Sequence, residues 1–144
     1  SGFVAGDAAI MKKFLLYRTY HGCAMAPPVQ TASIAAWNDE AHVLDNRNQY
    51  REKFAACTPL IAEVLGTRMP DASFYLWAKT PIADTEFARG LLEHYNVVAL
   101  PGSFLAREVR GVNPGANFVR IALVASLAEC LDATQRIRQF AQQL

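Results

Sequence analysis

At Ser73 the spacing of apolar residues changes, and that change confines the chain to folds that mix helix with strand. From Val29 to Thr58 there is no glycine or proline, and Ile34, Trp37, Ala41 and Leu44, then Tyr50, Phe54, Cys57, Ile61 and Val64, fall at helical intervals. That is the repeat of a long amphipathic helix, or of two in line, with a kink expected at Pro59 and a stop at Gly66. In SFYLWAK (73–79), by contrast, Phe74, Leu76 and Ala78 alternate with Tyr75, Trp77 and Lys79. A period of two is that of a strand.

The remaining segments extend this mixture. Gly2 to Gly6 reads as a strand entered part-way, and Asp7 caps a helix from Ala8 to about Tyr20. Asp84 begins a helix with Phe87, Leu91, Leu92 and Tyr95 on one side, and Asn96 is suited to end it in the left-handed conformation. VVAL (97–100) is a short strand that leads into PGS, either a loop at a binding edge or simply a turn in which Pro101 fixes φ and Gly102 supplies a positive φ. Residues 103–114 read as a loop, and residues 115–124 return as a strand. Ser126 with Glu129 makes a capping box for a last helix whose stripe runs through Leu127, Leu131, Thr134, Ile137, Ala141 and Leu144. The expected fold class is α+β, a two-layer domain with a small mixed β-sheet packed by helices.

Charge and composition exclude several partners. Fourteen Lys and Arg against thirteen Asp and Glu give a net charge of +1, with no basic run, so nucleic acid is not expected. The apolar share is 52% but dispersed, so no membrane span is expected. Cys23, Cys57 and Cys130 are an odd, scattered set with no histidine at metal spacing, as in the reduced thiols of a cytoplasmic protein. GxGxxG and GxxxxGK[ST] are absent, and no serine, cysteine or histidine stands in the context of a nucleophile.

One residue stands out chemically. Arg120 interrupts NFVRIALV (117–124), a run otherwise suited to a half-buried strand. A guanidinium stays charged, so Arg120 either reaches solvent, pairs with an internal acid, or clamps the carboxylate of a ligand through two parallel hydrogen bonds. The strand alone leaves these open. His21, in YRTYHG, is either a packing residue or the polar lining of a cleft; His42 and His94, in mid-helix, fit packing better.

Together these segments carry a resemblance. SFYLWAK, VVALPGSF, NFVRIALV and a final helix beginning SLAEC resemble the C-terminal small domain of class I/II, fold type I, pyridoxal-phosphate-dependent aminotransferases. GFVAGD, then FLLYRTYHG and PPVQTASIAAWNDEAHV, are similar more narrowly to the N-succinyldiaminopimelate aminotransferases of bacterial lysine biosynthesis. The resemblance covers essentially the whole chain. It implies that residues 1–28 are a remnant of the large cofactor-binding domain with an interdomain segment, and that residues 29–144 are the small domain. It places Arg120 on the α-carboxylate of the amino-acid substrate, here N-succinyl-2-amino-6-oxopimelate with glutamate as donor.

The same resemblance implies a cytoplasmic homodimer that uses pyridoxal 5'-phosphate when intact. None of Lys12, Lys13, Lys53 and Lys79 stands in the motif of the Schiff-base lysine, which is expected upstream. No catalytic, cofactor-binding or metal-binding residue is therefore expected in this chain, and alone it is expected to be inactive. The competing readings are a stand-alone carboxylate-binding or regulatory module and a structural dimerisation fragment.

Overall fold

The alternation at 73–79 becomes the edge of a three-stranded sheet, and the helical repeats on either side supply the layer that covers it. The computed structural model describes residues 1–22 and 24–144, in two compact units, Ser1–Asp45 and Asn46–Leu144. The unit boundary thus falls at Asp45, whereas the sequence reading divides the chain at residue 28.

In the first unit, residues 1–7 form no strand, which corrects the expectation for Gly2 to Gly6. A strand needs a partner for its backbone groups, and none of the described residues pairs with this segment. Helix α1 (Ala8–His21) starts where expected, with the Asp7 carboxylate accepting from the Ala9 and Ile10 amides. Helix α2 (Pro27–Trp37) opens on prolines, whose missing N–H groups cost nothing in a first turn. The expected long helix is two: α2 ends at Asn38, and the Asp39 carboxylate takes the Ala41 and His42 amides to start α3 (Glu40–Ala62). Neither α1 nor α2 contains a buried residue.

In the second unit α3 continues through Pro59 and buries Phe54, Cys57, Thr58 and Ile61. Strand β1 (Tyr75–Lys79), helix α4 (Asp84–Tyr95), strand β2 (Leu100–Pro101), a 3-10 turn (Gly102–Phe104), strand β3 (Phe118–Ala122) and helix α5 (Leu127–Ala141) follow. The strand order is β1-β3-β2, and both pairings are antiparallel, so the sheet is not mixed. Leu76 and Ala78 of β1 and Val119 and Ile121 of β3 join Phe54, Ile61, Phe87, Leu91, Ile137 and Phe140 in one core. The two-layer α+β architecture holds.

Two helix ends behave as their sequence predicts. Asn96 ends α4 at φ 51°, ψ 41°, and the Ser126–Glu129 capping box is present on α5. The buried stripe of α5, however, is Cys130, Thr134, Ile137 and Phe140, while Leu144 is exposed. Phe140 rotates the stripe because its ring packs on Phe87 and Tyr95, with centroids 5.1 and 5.6 Å away. Gly90 of α4 admits that ring: a Cβ there would come within 2.7 Å of Phe140 Cζ.

Candidate functional site

Arg120 occupies the middle of the central strand. Val119 and Ile121 point into the core, so the pleat turns Phe118, Arg120 and Ala122 to the opposite face of the sheet. There Arg120 stands opposite Trp77 of β1 and Leu100 of β2. Its guanidinium carbon is 5.5 Å from the centroid of the Tyr75 ring. An aromatic face attracts a cation without neutralising it, so the guanidinium keeps its affinity for an anion. Among the described residues no acid forms an ion pair with Arg120. Of the alternatives open in the sequence, an internal carboxylate partner is thus ruled out among those residues.

The neighbours of Arg120 form a wall. Trp77 and Phe118 stack with centroids 5.6 Å apart and planes 11° from parallel. These two rings and Tyr75 line an open recess of about 760 Å³ together with the segment Gly66–Ser73; Arg120 itself is not in its lining. That volume suits a small organic ligand.

A second set of contacts fixes the ends of the strands. Asp84, in the first turn of α4, is 4% exposed. One carboxylate oxygen accepts from the Ser103 amide at 2.9 Å and the other from the Asn117 amide at 3.1 Å. Burial opposes ionisation of Asp84, but the hydrogen bonds from Ser103 and Asn117 outweigh it and hold the carboxyl below its ordinary value. The segments so joined also cross closely. A Cβ on Gly102 would lie within 2.7 Å of the Trp77 ring and 2.8 Å of the Phe118 carbonyl oxygen. Gly102 is required for this approach and not for a positive φ, since Gly111 is the glycine that adopts one. Asn113 completes the junction, donating to the Ser103 carbonyl and accepting from the Gly115 amide.

The other candidates lie elsewhere. His21 ends α1 in the first unit, exposed and stacked on Tyr17 at 4.4 Å. His42 pairs with Asp39 on α3, and the Asp39 carboxyl is lowered chiefly by that hydrogen bond. His94 is exposed in the last turn of α4. Cys57 and Cys130 are buried free thiols; burial, then the neighbouring Cys57, pushes Cys130 up. Cys23 lies outside the described residues. Among the described residues no group of three His, Cys, Asp or Glu could hold a metal ion, and no helix is long and apolar enough to cross a membrane.

The lysines decide how the chain relates to pyridoxal phosphate, whose aldehyde needs a free amine. Lys53 is buried, and its amine donates to the Val124 carbonyl at 3.5 Å and sits 5.1 Å from the Tyr50 ring centroid. Lys12, Lys13 and Lys79 are exposed, and Lys79, in the second unit, does not line the recess. These residues do not form a site for that cofactor.

Comparison with known proteins bears on this geometry. A family model described as aminotransferase class I and II matches residues 1–137. "Probable aminotransferase Rv1178" of Mycobacterium tuberculosis is 34% identical over 88% of this chain and 29% of its own length. A solved aminotransferase from Neisseria meningitidis is 55% identical, with a TM-score of 0.82, over 96% of this chain and 35% of its own. A "probable N-succinyldiaminopimelate aminotransferase" from Thermus thermophilus is 36% identical, with a TM-score of 0.59, over 72% of this chain and 27% of its own. The chain thus spans about a third of the length of these relatives. It belongs to the aminotransferase class I and II family.

Proposed function

We propose that this chain is the substrate-binding part of a pyridoxal-phosphate-dependent aminotransferase and that Arg120 clamps the α-carboxylate of its amino-acid substrate. One observation carries the reading: a half-buried guanidinium on the open face of the central strand, held over an aromatic ring and matched by no acid among the described residues. Two parallel N–H donors fix a carboxylate in orientation as well as in place. The α-amino group is then presented in one direction, which is what a reaction at the α-carbon requires of a binding residue. Pyridoxal phosphate, the cofactor of this family, supplies the electron sink for that reaction.

On this reading residues 1–28 belong to the large domain and its connection, and residues 29–144 to the small domain of a cytoplasmic homodimer. The substrate is N-succinyl-2-amino-6-oxopimelate with glutamate as amino donor. YRTYHG and WNDEAH favour this choice, as does the similarity to the Thermus protein.

The test is steady-state kinetics of the intact protein. Arg120→Ala should cost about 3–5 kcal/mol of productive binding for every amino-acid substrate if the carboxylate is desolvated. Arg120→Lys should recover little of it, because a single ammonium cannot reproduce the fork. Unchanged kinetics would return Arg120 to a structural role. A preference for the unsuccinylated amine over the succinylated one would remove the narrower substrate.

A further inference from the structure

We propose that Asp84 is a positioning residue for the carboxylate clamp, setting the place of Arg120 by tying the start of β3 to the end of β2. The inference rests on the reading of Arg120 as that clamp. The two oxygens of Asp84 take one backbone amide each from Ser103 and Asn117, residues far from it in sequence.

Both amides lie at the same end of the strand that carries Arg120. Asn117 immediately precedes β3, and its carbonyl accepts from the Thr80 amide at 2.9 Å, just past the end of β1. Ser103 follows Pro101, the last residue of β2, which pairs with Val119 next to Arg120. Trp77, opposite Arg120, meets the same junction where its ring approaches Gly102. One buried carboxylate therefore joins the segments leaving β2 and entering β3, close to where β1 ends. No other side chain bridges Ser103 to Asn117 among the described residues; Asn113 bridges Ser103 to Gly115 only. Converting the carboxylate to an amide leaves one acceptor and turns an NH2 toward a backbone N–H, so one of the two ties must break. The displacement falls on the strand that carries the guanidinium, and small misplacements of binding groups are felt strongly in rate.

The experiment is a double-mutant cycle in the intact protein, using Asp84→Asn, Arg120→Ala and the pair. KM and kcat are measured for the amino-acid substrate, and thermal unfolding is followed in parallel. The expected result is a KM raised about tenfold by Asp84→Asn with kcat changed much less, and no further loss when Arg120 is already alanine. Equal losses in both backgrounds would make Asp84 merely structural and overturn the inference while leaving the clamp intact. No effect of Arg120→Ala alone would instead overturn the clamp, and the inference with it. Should Asp84→Asn fail to fold, Asp84→Glu takes its place, since it keeps both acceptors but moves them by one methylene. An effect of that variant confined to the Arg120 background supports the inference, and an equal effect in both backgrounds overturns it.

Discussion

Gly102 and Asp84 show how single residues hold the surroundings of Arg120. A methyl group on Gly102 would have to displace the Trp77 ring and the Phe118 carbonyl. Gly102→Ala is therefore expected to destabilise by about 1–3 kcal/mol in a urea titration, as overpacking does elsewhere. Asp84 gives a pH dependence with a definite sign. Its folded carboxyl lies below its ordinary value, so its contribution is complete above the unfolded value of about 3.9 and is lost as pH falls through the folded one. Urea midpoints measured downward from pH 7 should drop below about pH 4, and should drop less in Asp84→Asn, where the contribution is already gone. That Arg120 lies in a strand was legible in the sequence because its β-branched and aromatic neighbours are local, but its surroundings were left open there. The role of Asp84 was not: it reads only as an acid at a helix start, and its partners are separated from it by 19 and 33 residues.

At the scale of elements, the sequence was reliable wherever one local interaction decides the outcome. Asp7, Asn96 and the Ser126–Glu129 box all sit at the helix ends they mark. Ser126→Ala should cost about 1 kcal/mol, measurable as a lower midpoint of thermal unfolding. Elements whose limits depend on distant partners were read less well. The segment 97–100 narrows to a two-residue strand at Leu100–Pro101 because pairing with β3 begins only there. Gly2 to Gly6 finds no partner and forms no strand, and the α5 stripe turns to seat Phe140 against Gly90. Propensity cannot register any of these, since each is settled by what the rest of the chain brings alongside.

On the scale of the whole molecule, the two units differ in how they are held. The second unit contains the core, whereas Phe3, Ile10, Leu15, Leu16, Tyr20, Ile34 and Trp37 of the first are all largely exposed. Limited proteolysis should therefore cut within residues 1–45 first and leave a resistant fragment beginning near Asn46, and amide exchange should be fast in residues 1–7 and slow in β3. A fragment starting well beyond Asn46, or protection of Phe3 to Ala5, would contradict this. The alternation of β3 has a further consequence. If the strand slipped by one residue, Arg120 would enter the core and Val119 and Ile121 would leave it. The core cannot form around an unpaired guanidinium, so a chain paired out of register is not a poorly active form of this protein but an unfolded one. Folding thus proofreads the strand that carries Arg120: every molecule that closes its core has already turned this side chain outward.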